Sequence, residues 1–331
     1  MTEFGVQLHG TFPMGRYAEL ARTVERHGFQ ELTVHDIVWW RPVWPILTLI
    51  AASTERVLVG PDVTHPYLRH PVDTATNVAA LDELSGGRAI LGLGAGSMLA
   101  PLGIETTRPL AAVRECAELV GQVLRRERAA FNGTVFSVTE EAQLFWEPPR
   151  QTVPTFVGAF GPRMVESAAT WADELRPPGV WAPAFFCDLK RRAQAAAARA
   201  GNDGFRVGCD VWLSLAENRE EARELGRRML AQFVAVPQLQ VMHEFHGLDP
   251  GEIAEVTRRF RAGDRDGAAA AISARTLDTY VAAGDPADVA KGLERLLDAG
   301  APASVTFSGR IGPDPARAIE LLGSRVLPEV L

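Results

Sequence analysis

Two glycine-rich turns are the parts of this sequence best suited to bind a charged or planar ligand. They are Gly94-Ala95-Gly96-Ser97 and Gly158-Ala159-Phe160-Gly161. Turns with so few side chains expose main-chain N–H groups, which can bind an anion such as a phosphate. After the second turn, Pro162 suits the first position of a helix and Arg163 adds a cation, so this turn is the better phosphate site. The alternative is a turn selected only for its tightness.

Neither turn matches a nucleotide-binding motif of fixed spacing. No Gly-Lys-Ser/Thr follows the second turn, as a Walker P-loop requires, and Gly92-Leu93-Gly94-Ala95-Gly96 lacks the spacing of GxGxxG. The turns therefore indicate a nucleotide-like or flavin-like ligand without fixing which one.

Three histidines are candidates for acid–base chemistry, because imidazole titrates close to neutral pH. They are His9, His35 and His65. For a lone histidine the alternative, a hydrogen-bonded structural role, has to be kept open. No His/Glu pair falls at i, i+4 on a predicted helix, so no metal site is expected.

Four tryptophans are candidates for an apolar wall over a planar ring or substrate. Trp39, Trp40 and Trp44 fall within six positions in a predicted loop, and Trp181 with the Phe185-Phe186 pair could complete the wall. Ordinary packing of loop aromatics is the alternative.

Strands and helices that could position these residues alternate along the sequence. A helix over 73–84 is expected to end at Gly86-Gly87, which can adopt positive φ, and an apolar buried strand over 89–93 leads into the first turn. The other predicted strands cover 4–8, 32–34, 57–60, 155–158, 207–215 and 305–308. The other predicted helices cover 15–27, 45–53, 114–126 and 164–171. Repeated strand-then-helix units indicate parallel strands joined by crossover helices.

The sequence thus predicts an α/β fold, a (β/α)8 TIM barrel, in a single domain over residues 1–331. Residues from about 217 to 284 are rich in helix formers and show no obvious strand, which predicts a helical insertion late in the barrel. In such a barrel the chemistry lies at the carboxyl ends of the strands, where both glycine turns fall.

Composition limits the partners of the protein. The chain of 331 residues carries 34 Lys and Arg against 41 Asp and Glu, a net charge of −7, which argues against a nucleic-acid binder. No apolar run approaches the roughly 20 residues that span a bilayer, and no signal peptide precedes the first strand. The three cysteines form no disulfide framework and no metal-binding pair, which favours a reduced, cytoplasmic protein. A small-molecule substrate, or a second copy of the chain, is the expected partner.

Several motifs spread over nearly the whole chain carry a resemblance to a known superfamily. They are Leu81–Arg88 running into Gly92–Gly96, Gly60–Tyr67 with Arg69-His70-Pro71, the turn from Gly158 to Pro162, and Ile311-Gly312-Pro313-Asp314. In these residues the chain resembles the luciferase-like flavin and deazaflavin oxidoreductases. Within them it is similar to the branch of coenzyme F420-dependent methylenetetrahydromethanopterin reductases.

The resemblance implies a barrel in which a bulge after the third strand supports the flavin or deazaflavin ring. The bulge would be Asp62-Val63, where members often have a non-prolyl cis peptide bond. The cofactor-binding residues it implies are Asp36, Asp62, Val63, Thr64, Gly94, Ala95, Gly96, Ser97, Gly158, Ala159, Phe160 and Gly161. Gln7, Trp39, Trp40, Trp44 and Trp181 would line the substrate pocket. Members commonly form homodimers.

At three positions the chain departs from the pattern of its relatives. Gln7 stands where the reductases carry a glutamate, Ile37 where many F420 enzymes carry a histidine, and Ser97 where an acidic residue is common. An amide cannot serve as an acid, so the proton donor would be His9, His35, His65 or water.

The expected function is a coenzyme F420-dependent oxidoreductase that transfers a hydride between the deazaflavin and a small organic substrate. An FMN-dependent luciferase-like monooxygenase that uses reduced flavin and oxygen is the alternative, and a non-catalytic flavin-binding relative is a third possibility.

Overall fold

The computed structural model describes residues 2–236 and 239–331, and its larger strands form two parallel sheets. In sheet order, the six-stranded sheet contains β11 (Val281–Gly284), β10 (Cys209–Leu215), β12 (Ser304–Ile311), β1 (Glu3–Leu8), β2 (Glu31–Val34) and β3 (Leu58–Pro61). The four-stranded sheet contains β4 (Leu91–Leu93), β7 (Thr155–Val157), β8 (Glu174–Leu175) and β9 (Arg206–Val207). A small antiparallel hairpin consists of β5 (Phe131–Asn132) and β6 (Ser137–Val138).

Helices connect most successive parallel strands, which confirms the predicted α/β class. They are α1 (Met14–Arg26), α2 (Val43–Ala52), α3 (Pro71–Ser85), α4 (Pro109–Leu124), α5 (Pro162–Ala168), α6 (Pro183–Ala200), α7 (Arg219–Phe233), α8 (Gln240–His246), α9 (Pro250–Arg261), α10 (Arg265–Ala270), α11 (Ala274–Tyr280), α12 (Pro286–Gly300), α13 (Pro315–Leu321) and α14 (Leu327–Val330). In the described residues none of these helices is long and apolar enough to cross a bilayer.

Main-chain hydrogen bonds join the two sheets on both sides. The N–H of Val59 donates to the carbonyl of Arg88 at 2.9 Å, and that of Ile90 donates to Val59 at 2.9 Å, which ties β3 to the segment entering β4. On the other side, the N–H of Ala303 donates to Val207 in β9 at 2.8 Å, just before β12 begins. The carboxyl ends of the strands in both sheets therefore face the same end of the fold.

Apolar and polar residues alternate along the central strands. Leu32 and Val34 in β2 are fully buried in the main apolar core, whereas Thr33 between them hydrogen-bonds to Asp62 inside the sheets. In β10 and β12 the same pattern brings Asp210 and Ser308 together as hydrogen-bond partners. Because successive side chains of a strand point to opposite faces, the apolar core lies on the helix side of the strands and the polar side chains lie on the other face.

The helix before the first glycine turn ends as predicted. Gly86 and Gly87 adopt φ values of 70° and 88°, which close α3 in the left-handed region. The buried Asp82 then accepts hydrogen bonds from Arg150 and from the N–H of Ala89, and so fixes the approach to β4.

Three features of the fold differ from the sequence prediction. The stretch 217–284 was expected to lack a strand, but Val281–Gly284 forms β11 and pairs with β10; its Val-Ala-Ala-Gly sequence carries little strand signal. The single strand expected over 207–215 is divided at Gly208, where a Cβ would collide with Ser304 Oγ of β12. Trp44 lies within α2 instead of a loop.

Candidate active site

A cavity of about 400 Å³ opens at the carboxyl ends of the strands. Thirteen of the residues singled out from the sequence line it: Gln7, His35, Asp36, Asp62, Val63, Gly94, Ala95, Gly96, Ser97, Gly158, Ala159, Phe160 and Gly161. The two glycine turns, which are 64 residues apart in the sequence, thus face one common cavity. This convergence makes the cavity the candidate active site.

Val63 lies between the two turns and explains two of their glycines. A Cβ on Gly94 would be 2.5 Å from Val63 Cγ2, and a Cβ on Gly158 would be 3.0 Å from Val63 Cγ1. The peptide bond before Val63 is cis, as the resemblance implies. Gly94 and Gly158 are therefore required for the packing of Val63, and not only for access of a ligand to the main chain.

The rest of both turns lines the cavity and, within the described residues, leaves its main-chain donors without an acceptor. Gly94 and Gly158 use their N–H groups within the protein, on Thr64 and Leu93 at 3.0 Å each. In contrast, the following six residues donate no main-chain hydrogen bond to any acceptor in residues 2–236 and 239–331: Ala95, Gly96, Ser97, Ala159, Phe160 and Gly161. Around Gly161 no atom lies within 4 Å of the position of a Cβ, so this part of the wall is open space. Six free donors beside an open wall suit an anionic or carbonyl-rich ligand.

Asp36 is held in place by two neighbours from the third strand's connection. Arg69 donates to its two carboxylate oxygens at 2.5 and 3.2 Å, and Thr64 Oγ1 donates at 2.7 Å. Thr64 itself does not line the cavity, and so contributes through Asp36. A bidentate arginine fixes a carboxylate in both position and charge.

Gln7 carries an unpaired acceptor at the cavity wall. Its Nε2 donates to the main-chain oxygen of Asp62 at 2.7 Å, which fixes the orientation of the amide. The residue is 1% exposed, and its Oε1 has no hydrogen-bond partner within the described residues. A buried acceptor without a partner is costly, so this oxygen is suited to receive an N–H or O–H group of a ligand.

The three histidines proposed as acids differ in position. His35 lines the cavity, whereas His9 and His65 lie behind its wall. Burial lowers the pKa of His35 to about 4, and burial with the nearby His35 and Arg310 lowers the pKa of His9 to about 3. Burial also lowers the pKa of His65. At neutral pH these rings are uncharged, which argues against a role as imidazolium acids.

The four tryptophans do not line this cavity. Trp40 stacks on His9 with ring centroids 4.7 Å apart, and Trp39 is 52% exposed and donates to Met98. Trp44 packs in the apolar core from α2, and Trp181 is buried against Gly292 of α12. The four tryptophans were expected to form the apolar wall of the cavity. The backbone instead directs their side chains toward the core and the outer surface.

Other aromatic and aliphatic residues provide the apolar wall instead. Trp212 of β10 stands beside Phe233 at the end of α7, with ring centroids 5.4 Å apart, and both line the cavity with Met164 and Leu239. None of these four residues was predicted from the sequence. The sequence could have indicated Trp212, because it is two residues from Asp210 in a predicted strand and so lies on the same face.

A cluster of charged residues closes the inner end of the cavity. Arg176, which follows β8, donates to Glu31 and to Glu174, whose Oε1 lies 3.0 Å from its Nε. Although burial alone disfavours the charged guanidinium, these two carboxylates raise the pKa of Arg176 above its usual value. Asp62 and Asp210 line the cavity beside this cluster. Arg176 and Asp210 were not predicted.

Burial affects the two aspartates strongly. It raises the pKa of Asp62 to about 6, against the opposing charge of Arg176. Burial and the charge of Asp62 raise the pKa of Asp210 well above its usual value. Both aspartates therefore favour their protonated forms more than an ordinary aspartate does. In the described residues no group of His, Cys, Asp and Glu has the arrangement of a metal site.

Comparisons with known proteins agree with this architecture. The profile of the family described as luciferase-like monooxygenase matches residues 1–302. The chain is 30% identical to a 5,10-methylenetetrahydromethanopterin reductase of Archaeoglobus fulgidus over 99% of each protein. It is 27% identical to an F420-dependent glucose-6-phosphate dehydrogenase of Nakamurella multipartita, over 96% of this chain and 93% of that protein.

A solved structure extends the similarity to three dimensions. The coenzyme F420-dependent tetrahydromethanopterin reductase of Methanopyrus kandleri superposes with a TM-score of 0.92 at 28% identity, over 100% of this chain and 99% of that one. From the profile match and these full-length similarities, the chain belongs to the luciferase-like monooxygenase family.

Proposed function

We propose that this protein is a coenzyme F420-dependent oxidoreductase that transfers a hydride between the deazaflavin and a small organic substrate. Its full-length relatives at 27–30% identity are named as F420-dependent enzymes or as methylenetetrahydromethanopterin reductases, and both kinds are oxidoreductases. The observation that carries the proposal is the meeting of both glycine turns and Val63 on one cavity.

The residues of the cavity fit a deazaflavin. The free N–H groups at 95–97 and 159–161 would hold its anionic tail, and the open space at Gly161 leaves room for it. Val63 and Asp36 would contact the ring, and the unpaired Gln7 Oε1 would accept from a ring or substrate donor. When bound, the coenzyme supplies the hydride donor or acceptor.

The protein's own residues position the ligand, exclude water from the cavity and balance its charges. Trp212, Phe233 and Leu239 form an apolar part of the cavity wall and would exclude water from it. Arg69 keeps Asp36 in its place, and Arg176 neutralises part of the acidic cluster at the inner end. A dry pocket of this kind strengthens each polar interaction within it.

The remaining finer expectations belong to the same proposal. We infer that the two sheets close into the expected (β/α)8 barrel, which the main-chain hydrogen bonds at Val59 and Ala303 support. We also propose a single domain, a homodimer and a cytoplasmic location, as the resemblance and the composition imply. Sedimentation analysis of the purified protein tests the dimer.

Titration of the purified protein with F420 and with FMN tests the function. We expect F420 to bind, with FMN at least tenfold weaker, and reduced F420 to be oxidised when a substrate is added. Tighter binding of FMN, with oxygen consumption by reduced FMN, would instead establish the monooxygenase alternative. Binding of neither cofactor would overturn both functions.

A further inference from the structure

The inner end of the cavity holds more buried acids than cations. Asp62, Asp210, Glu31 and Glu174 are all 5% exposed or less. Two guanidinium groups contact this cluster: the buried Arg176, and the half-exposed Arg206, which lies 3.5 Å from Glu174. Arg176 is engaged by the two glutamates through all three of its nitrogens. Among the described residues, Asp62 and Asp210 therefore have no cation bonded to them.

Each aspartate instead has one hydroxyl donor. Thr33 Oγ1 donates to Asp62 Oδ2 at 3.2 Å, and Ser308 Oγ donates to Asp210 Oδ1. A buried carboxylate needs a cation or several donors to remain charged, and two such groups side by side cannot both be charged at low cost. Since both aspartates line one cavity and neither is bonded to a cation, this arrangement favours a proton on one of them.

We propose that Asp210 is a further catalytic residue, which carries the proton that the reaction uses and is kept protonated by the adjacent Asp62. The inference rests on the proposed function and adds the source of the proton. Asp210 lines the cavity from β10, on the same face of that strand as Trp212 in the apolar wall. Its carboxyl is thus exposed to a ligand in the cavity and closed to bulk solvent.

The other candidates for this role are less suited to it. Gln7 has no dissociable proton, and the pKa of His35 is lowered by burial to about 4. The groups that face Asp210 are Ser308 from β12, Asp62 from the segment after β3, and Arg176 from the segment after β8. Of these, Asp62 and Arg176 carry charge, with opposite effects on its proton.

The step balances for a substrate with a polar double bond, C=O or C=N. When bound, the reduced deazaflavin would be the reductant and would supply the hydride for the new C–H bond. The heteroatom takes the proton of Asp210, whose O–H bond breaks and leaves its electron pair on the carboxylate. Asp62 and Asp210 are then both short of a proton, which favours uptake of one from solvent before the next turnover.

Infrared spectroscopy of the protein without coenzyme tests where the proton is. At pH 7 we expect the carbonyl stretching band of a buried protonated carboxyl, which Asp210→Asn removes while Asn still accepts from Ser308. Asp82→Asn is the matched control, because Asp82 is equally buried but paired with Arg150 outside the cavity. A band that persists in Asp210→Asn, or no band in the wild-type protein, overturns the inference.

A second variant keeps the test valid where Asp210→Asn does not fold. Asp62→Asn removes the charge that keeps Asp210 protonated, so the midpoint pH of the Asp210 band should fall by about one unit or more. An unchanged midpoint contradicts the proposed coupling.

Turnover of reduced F420 with 5,10-methylenetetrahydromethanopterin or another C=N or C=O compound separates this inference from the proposed function. Loss of a positioned acid lowers kcat by about 10²–10⁴-fold, so Asp210→Asn should do so with F420 affinity unchanged. Wild-type kcat in that variant overturns the inference and leaves the function intact. Wild-type protein that binds no F420 overturns both. If F420 binds but no compound is turned over, the infrared result decides.

Discussion

A methyl group of Val63 lies where a side chain at position 94 would begin, since a Cβ on Gly94 would be 2.5 Å from Val63 Cγ2. Gly158 approaches the other methyl group, so the valine is enclosed by the two turns that face the cavity. The position of Val63, at the centre of the candidate site, is thus fixed from both sides by glycine.

Replacing Gly94 by alanine should therefore displace Val63 and destabilise the protein by about 1–3 kcal/mol, the usual cost of overpacking. Urea unfolding measures the change. In the double variant Gly94→Ala with Val63→Ala the clash is relieved, so its loss should be smaller than the sum of the two single losses. Strictly additive losses would contradict the contact.

The substitution Gly161→Ala should act on binding without acting on the fold. Its φ of −68° and ψ of 132° suit any residue, and nothing lies within 4 Å of its Cβ position. We expect unfolding free energies within about 0.5 kcal/mol of wild type but weaker F420 binding, because Gly161 lines the cavity. Gly15→Ala, with equally free space but in α1, is the control and should bind F420 normally. Equal affinity in both variants would place the ligand elsewhere.

Removal of Arg69 should expose the dependence of Asp36 on its partner. The Asp36 side chain is 4% exposed and that of Arg69 is 18% exposed. Arg69→Met therefore leaves a nearly buried carboxylate with Thr64 as its one remaining donor among the described residues. We expect a loss of about 2–4 kcal/mol in unfolding free energy. The exposed pair of Arg114 and Glu118 provides the comparison, and Arg114→Met should cost less than about 1 kcal/mol. Similar losses of unfolding free energy in both variants would show that the buried pair contributes no more to stability than the exposed one.

Acid should destabilise the protein through its buried histidines. The pKa of His35 is about 4 in the folded protein and 6.5 without the fold, so below pH 6.5 the unfolded chain binds a proton that the native one does not. Stability therefore falls as the pH decreases from 6.5 to about 4, by at most about 3 kcal/mol from this residue. His35→Gln should remove that part of the pH dependence in thermal unfolding scans.

Asp62 affects the pH dependence of stability in the opposite sense to His35. The variant His35→Gln is therefore needed to separate the two contributions. Its folded pKa of about 6 is above the ordinary 3.8, so between these values the native state holds the extra proton. Its contribution to stability is lost as the pH rises through 6. If His35→Gln shows the same pH dependence as the wild-type protein, the ring is not the group that titrates.

Local chemistry explains which parts could be predicted from the sequence. The turns at 94–97 and 158–161 and the end of α3 at Gly86 depend on residues next to one another, and the structure has them where the sequence predicts. β8 and β9 contain two residues each, which is too short for any periodicity to appear. The tryptophans of 39–44 were identifiable as a group, but the direction in which a loop turns its side chains depends on the whole fold.

The acidic cluster depends on longer-range relationships. Arg176 and Glu31 are 145 residues apart in the sequence, and Ser308 and Asp210 are 98 apart. Alternation in β10 predicts that Asp210 and Trp212 share a face, but not which face is enclosed by the sheets. That assignment requires the partner strands, and it decides whether Asp210 is a surface charge or a buried acid.

The polar inner face of the strands affects which amino-acid substitutions this protein tolerates. Apolar packing holds the helices against the outside of the strands, so substitutions there are limited by the volume and shape of the side chains. Among the polar residues at the centre, substitutions are limited by hydrogen bonding and charge balance. A replacement side chain there must donate or accept a proton at the same position, whatever its volume. Descendants of this chain should thus acquire new chemistry by exchanging polar groups at the centre, while the surrounding hydrocarbon layer preserves the architecture.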